Sequence, residues 1–171
     1  IDHQDYLGNS LSQITYEKLG ILNPKSINII NKQKPKVMKF IRDQLNKRKL
    51  EAQIFNHEWT IRSDTYFSEQ VKINLSKLSL LGKHQKFNAG LAIHLAKNIL
   101  KDSFDITSTE KALEKCQWPG RLQLIHKGSI TRKILKYKNI YLDGFHNIDG
   151  MKVLMESLNS NKKILICSFF K

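Results

Sequence analysis

At 171 residues with a formal net charge of +14, the chain has the size of one ordinary domain, or of one domain joined to part of another. Its 40% hydrophobic content argues against intrinsic disorder. No apolar run reaches the ~20 residues of a membrane-spanning helix, and the first residues lack the basic-then-apolar order of a signal peptide. Cys116 and Cys167 are too few for a disulfide framework and lack zinc-site spacing, so a reducing cytoplasm is the expected compartment. The basic residues are 24 lysines and only 5 arginines, spread along the chain. Nucleic-acid surfaces usually draw on the planar arginine fork. The charge therefore reads first as a compositional background of solvated lysines, and only second as a nucleic-acid surface.

In chain order, residues 1–9 read as a loop. Ser10 is placed to N-cap a helix running to Leu19, with Gly20 as its stop. Ser26–Asn31 is a β-branched run and an expected strand. Pro35 opens a helix to about Arg48, with Val37, Phe40, Ile41 and Leu45 spaced as one buried stripe. Glu51–Phe55 is the next strand, and strand–helix–strand implies a βαβ unit with parallel pairing. Trp59–Arg62, Thr65–Glu69 and Val71–Leu75 alternate as short antiparallel strands.

A helix from Gln85 to about Leu100 is expected to bury Phe87, Leu91, Leu95 and Ile99, and a helix over Ser108–Cys116 to be capped by Ser108. Trp118-Pro119-Gly120 is a hard break and the expected domain boundary. Beyond it the sequence predicts a strand at Arg121–His126, a basic excursion at Lys127–Lys138 and a strand at Asn139–Leu142. A helix at about Asp149–Leu158 and an apolar strand at Lys163–Phe169 complete the order. The fold class is α/β.

Four segments carry chemistry. Residues 2–8 (DHQDYLG) put His3 beside two carboxylates at a strand end, where α/β folds place ligands. Residues 16–21 (YEKLGI) put Lys18 at a helix end, where the macrodipole alone would favour a cation. Residues 80–96 (LLGKHQKFNAGLAIHLA) open a helix with amide side chains in its first turns, Asn88 among them. Residues 142–147 (LDGFHN) gather Asp143, His146 and Asn147 after a strand, a pattern that also suits an Asx turn and a helix cap. Arg121 lies in WPGRLQ at residues 118–123.

In this order these five segments resemble the folylpolyglutamate synthase/dihydrofolate synthase family of the Mur ligase superfamily. The resemblance implies a partial Mur-ligase central domain over residues 1–117 and the start of a Rossmann-like C-terminal ligase domain over 118–171. It implies ATP-dependent ligation of L-glutamate to a folate or dihydropteroate carboxylate through an acyl phosphate, with ATP and magnesium. By the same resemblance, His3 is a magnesium ligand and Lys18 the lysine that is carbamylated. Asn88, Arg121 and Asp143 contact ATP, and His146 joins the catalytic cluster beside Asn147.

The family's Gly-rich phosphate loop has no match among these residues, since Gly82-Lys83 is followed by His84. Phe145 and Ile148 stand where the family carries a small residue and a proline, which puts the geometry of that loop in question. The chain opens with Ile rather than Met, so a piece of a longer protein is expected. Three readings stay open. One is a ligase whose phosphate loop comes from an upstream half, in the same chain or a separately encoded one. The second is a non-catalytic remnant of that enzyme, and the third a basic nucleic-acid-binding module.

Overall fold

The computed structural model describes residues 8–69, 71–133 and 139–158, with isolated positions 164 and 166. His3 lies outside the described residues, as does the strand expected at Lys163–Phe169 apart from positions 164 and 166. The first helix, α1 (Leu11–Lys18), starts in a capping box: the Ser10 hydroxyl accepts from the Gln13 amide at 3.2 Å, and Gln13 Oε1 accepts back from the Ser10 amide at 3.1 Å. The expected stop at Gly20 takes another form. Gly20 sits inside a 3-10 turn at Leu19–Ile21, and the left-handed cap conformation is not used. The Arg48 guanidinium satisfies the carbonyls there, donating to Leu19 O at 2.7 Å and Leu22 O at 2.9 Å.

Strand β1 (Ile29–Ile30), helix α2 (Pro35–Arg48) and strand β2 (Gln53–Ile54) form the expected βαβ unit, with Ile29 beside Gln53 and Ile30 beside Ile54 in parallel register. Pro35 supplies a preset first turn, and Lys49 ends the helix in the left-handed region at φ 53°. Ile41 and Leu45 bury against Leu19, Leu22, Ile30 and Ile54, making a first core cluster. Asn28 is buried here with its polarity satisfied, since its amide donates to Asn23 O at 3.0 Å and Glu51 O at 2.9 Å.

Strands β3 (Trp59–Arg62), β4 (Thr65–Ser68) and β5 (Val71–Asn74) make an antiparallel meander in the order β3-β4-β5. Alternation puts Trp59, Tyr66 and Ile73 on its inner face, each at most 1% exposed. Helix α3 (Lys83–Leu100) covers that face, and Gly90 permits the approach: a Cβ there would sit 2.7 Å from Ile61 Cδ1 and 2.9 Å from Trp59 Cζ3.

The buried side of α3 differs from the expected stripe. Gln85, Ala89, Gly90, Ile93 and His94 face the meander, while Leu95 and Ile99 are 42% and 63% exposed. Residues spaced strictly by four drift about 40° around a helix at each step, so Phe87 and Leu91 pack at the rim and the later two leave it. His94 is buried against the rings. It stacks on Trp59 at 5.5 Å, and its Nδ1 lies 2.7 Å from the Tyr66 hydroxyl.

Helix α4 (Ile106–Lys115) docks on β5, with Glu110 Oε1 accepting from the Asn74 amide at 3.2 Å. Its cap is Asp105, whose carboxylate accepts from the Ser108 amide at 2.6 Å. This corrects the expectation that Ser108 caps. A carboxylate three residues ahead of an amide is the stronger acceptor for a helix start. After the break at 118–120, strands β6 (Gln123–Leu124) and β7 (Tyr141–Leu142) pair antiparallel, separated by the short helix α5 (Ser129–Lys133). Helix α6 (Ile148–Ser157) follows, with Asn147 as N-cap.

Candidate functional site

The site is assembled from three places: the first two turns of α3, the bend at 118–122, and the loop after β7. Gly82 caps α3 at φ 105°, a conformation that L side chains rarely adopt. The His84 ring folds back over it. A Cβ on Gly82 would lie 2.8 Å from His84 Cε1, 2.9 Å from its Nδ1 and 3.4 Å from Ser157 Oγ of α6. One helical turn after His84, Asn88 is exposed, and its Nδ2 donates to Gln85 Oε1 at 3.1 Å.

The bend at 118–122 is unusual backbone. Gly120 has φ 71° and Leu122 φ 46°. Two staples bind it to the loop after β7. The Gly144 amide donates to Gly120 O at 2.8 Å, and the Leu122 amide donates to Asp143 Oδ2 at 2.7 Å. The other Asp143 oxygen accepts from the Phe145 amide at 2.9 Å. Asp143 is thus an Asx-turn residue and a cross-strand clamp at once, and it carries Arg121 beside it through Leu122.

His84, Arg121 and Asp143 feel one another. The residue is exposed overall, but partial shielding of its ring holds the His84 imidazole below its ordinary value, the Asp143 carboxylate pulls it up, and the Arg121 guanidinium pushes it down. The sequence pointed to Arg121 and Asp143, and the Asp143 carboxylate holds the Leu122 amide next to Arg121, while both charges act on His84. His84 was quoted within its motif but given no role. The signal that would have singled it out is Gly82, since a glycine two residues ahead of a helical histidine allows the ring to fold back on the chain.

His146 follows in the same loop, its Nδ1 3.3 Å from Gly144 O. A carbonyl only accepts, so Nδ1 donates and the proton sits there. Phe145 packs on the first turn of α6, where a Cβ on Gly150 would lie 2.9 Å from Phe145 Cβ. Ile148 occupies the first helical position in place of proline, and Asn147 Oδ1 still accepts from the Gly150 amide at 2.7 Å. Phe145, His146, Ile148 and Met151 line an open groove of about 590 Å³ along α6.

Lys18 is exposed in the last turn of α1, and no contact described here joins it to Asn88, Arg121 or Asp143. His3 lies outside the described residues. Among the described residues, no group of three or more His, Cys, Asp or Glu side chains is placed to hold a metal. Among them, too, no helix is long and apolar enough to cross a membrane.

No protein-family model matches the chain. It is 29% identical to the dihydrofolate synthase/folylpolyglutamate synthase of Bacillus subtilis over 169 residues, which is 92% of this chain and 37% of that protein. It is also 29% identical to a Saccharomyces cerevisiae folylpolyglutamate synthase, covering 97% of this chain and 30% of the relative. Among solved structures, a folylpolyglutamate synthase of Mycobacterium tuberculosis complexed with ADP superposes with a TM-score of 0.69 at 24% identity, over 92% of this chain and 36% of the other. An FPGS-AMPPCP-folate complex superposes with a TM-score of 0.73 at 22% identity, over 92% of this chain and 39% of the other. At such identities the structures speak for the fold, and the chain spans about a third of the length of the proteins it matches. In sequence the chain is similar to the folylpolyglutamate and dihydrofolate synthases, and its mixed α/β fold is similar to that of the solved folylpolyglutamate synthases.

Proposed function

We propose that these 171 residues are the downstream part of the central domain, over 1–117, and the start of the C-terminal domain, over 118–171, of an ATP-dependent folate–glutamate ligase. In that reaction ATP phosphorylates the carboxylate of a folate or dihydropteroate. The amine of L-glutamate then attacks the acyl phosphate, and phosphate leaves from a tetrahedral intermediate. The observation that supports the reading most is the Asp143 clamp on the Leu122 amide, which ties the loop after β7 to the bend that carries Arg121.

In this reading Asn88 offers an amide to the nucleotide from the α3 side. Arg121 offsets charge on the phosphoryl group. Asp143, fixed by two backbone amides, presents its remaining lone pairs without reorganisation. Closure of the C-terminal domain over the central one would bring Arg121 and Asp143 to the nucleotide and exclude water from the acyl phosphate, with His146 in the same loop as Asp143. The roles of His3 as magnesium ligand and of Lys18 as a carbamylated residue rest on the family resemblance alone. The loop that cradles the ATP phosphates is supplied by polypeptide outside these residues, in the same or a separate chain.

The test has two arms. Saturable binding of ATP to the chain is expected, weakened by Asn88→Ala and Asp143→Ala, as read by equilibrium dialysis with labelled ATP. Co-expression with a phosphate-loop segment encoded upstream is expected to give ADP release that requires both glutamate and a pteroate substrate. A folded pair that binds no ATP and releases no ADP would overturn the proposal.

A further inference from the structure

We infer that Asn31 is a positioning residue that ties the loop after β1 to the turn of α3 carrying Asn88. The inference rests on the reading of Asn88 as a nucleotide contact. That reading itself assigns nothing to β1 or to the loop that follows it.

Asn31 stands just past β1, at the carboxyl end of the parallel pair, the side on which α/β folds place ligands. Its side chain works in two directions. Oδ1 accepts from the Lys32 amide at 2.7 Å and holds the backbone as it leaves the strand. Nδ2 donates to the Phe87 carbonyl of α3 at 3.3 Å, across 56 residues of sequence. The Phe87 carbonyl and the Asn88 N–H belong to one planar peptide unit. Asn31 therefore grips the backbone plane that leads into Asn88.

Phe87 is held on other sides as well. Lys32 Nζ lies 4.5 Å from the centroid of its ring. Phe55, just past β2, meets the ring edge-on at 5.6 Å and 70°. Phe55 is joined to β1 in turn, its amide donating to Ile30 O at 3.0 Å. The ends of both parallel strands thus converge on one residue at the opening of the second turn of α3. Ring contacts tolerate sliding, whereas a hydrogen bond to a carbonyl has a preferred direction. The Asn31 bond is the directional contact of this set. It fixes how that turn is rotated against the sheet, and so where the exposed Asn88 side chain is presented.

ATP binding by the 171-residue chain, read by equilibrium dialysis with labelled ATP, tests the inference. Asn31→Ser keeps a hydroxyl for the Lys32 amide but is too short to reach Phe87, and Asn31→Ala keeps neither bond. Each is expected to weaken binding roughly tenfold, the scale of one lost hydrogen bond. Asn31→Ala combined with Asn88→Ala is expected to bind no more weakly than Asn88→Ala alone, because Asn31 acts through Asn88. A purely structural tie would add its own loss to that of Asn88. Unchanged binding in both Asn31 variants, or a full sum of the two losses in the combined variant, overturns the inference.

The second reading needs no ATP. The backbone amide of Asn88 shares the peptide unit that Asn31 holds, so its NMR resonance is expected to shift in both Asn31 variants while the amides of β3, β4 and β5 keep theirs. An unmoved Asn88 resonance overturns the inference whatever the dialysis gives. If the wild-type chain binds no ATP while that resonance moves, the nucleotide reading fails and the tie stands. If Asn88→Ala weakens ATP binding but neither Asn31 variant does, the inference fails alone.

Discussion

The meander with α3 and the β6–β7 unit with α6 are held together by different forces. In the first, Trp59, Tyr66, Ile73 and Leu75 are almost wholly buried, and Phe55 meets Trp59 edge-on at 5.0 Å. In the second, Leu122 and Leu154 are the buried apolar residues among those described, while Leu142, Ile148 and Met155 are exposed. What orders the second unit is polar: the Asp143 clamp, the Gly144–Gly120 bond and the Asn147 cap. The contrast follows from area. Burying an aromatic or branched side chain stabilises by about 1.5–3 kcal/mol, whereas a net hydrogen bond contributes about 0.5–1.5 kcal/mol. The meander is therefore the part that folds the chain, and the later unit is the part whose geometry is set by a few replaceable contacts. That division suits a site in which one half is a fixed platform and the other must adjust.

The comparison breaks most readily at Trp59. Trp59→Ala removes a ring that touches Phe55, Tyr66, His94 and the Gly90 approach. The expected loss is about 3–5 kcal/mol, measured by urea denaturation, with loss of the cooperative transition as the extreme outcome. A loss below about 1 kcal/mol would contradict the central role given to this face.

His94 gives the next largest effect, and it is pH-dependent. Burial, then the charge of Lys97, lowers its pKa from 6.5 to about 4, with Glu58 opposing. In the folded chain the ring is neutral where the unfolded chain would already take up a proton. Its contribution is fully present above pH 6.5, falls as the pH drops through the window from 6.5 to about 4, and is gone below it. The difference corresponds to at most roughly 3 kcal/mol. Midpoints of urea denaturation at pH 7 and pH 4.5 measure it. His94→Phe should flatten that part of the profile, although it leaves the Tyr66 hydroxyl without its 2.7 Å partner.

How far the sequence could be read follows the same division. Pro35 and the three-and-four spacing of Val37, Phe40, Ile41 and Leu45 delimited α2 to the residue, because each signal is local. The three strands of the meander were visible from alternation around Ser63-Asp64, whose positive φ values of 44° and 60° make the turn. The inner face of α3 was not visible. It buries a histidine, a glutamine and a glycine, which periodic hydrophobicity does not mark, and it does so because the rings of the meander leave room for them. Arg121 and Asp143 were singled out by their motifs. Their proximity to His84 was not, because it depends on how two segments 37 residues or more apart approach.

Asp143 sharpens the comparison from the other side. Asp143→Ala leaves the Leu122 and Phe145 amides without their acceptor in a half-buried place. About 1–3 kcal/mol of local stability is expected to go, appearing as faster hydrogen exchange at Leu122, Phe145 and the β6–β7 pair. The amides of β3, β4 and β5 should be unaffected, since they share no partner with the clamp. If the meander exchanged faster to the same degree, the two regions would be one cooperative unit and the division drawn here would fall.

The smallest effect tests whether the division holds within a few residues. Asn147 Oδ1 accepts from the Gly150 amide at 2.7 Å and opens α6. Replacing a good cap by alanine costs about 1 kcal/mol. Asn147→Ala should therefore raise exchange roughly fivefold in the first turn of α6. An uncapped first turn also loosens the backbone that carries Phe145 against Gly150, so the loop bearing His146 should gain mobility while Asp143 keeps both of its amides. Asn147→Asp is the matching control, because a carboxylate accepts the same bond and favours the helix start. Recovery of slow exchange in Asn147→Asp would assign the effect to the cap. Faster exchange in both variants would mean that Asn147 acts through its amide group, and the cap reading would fail.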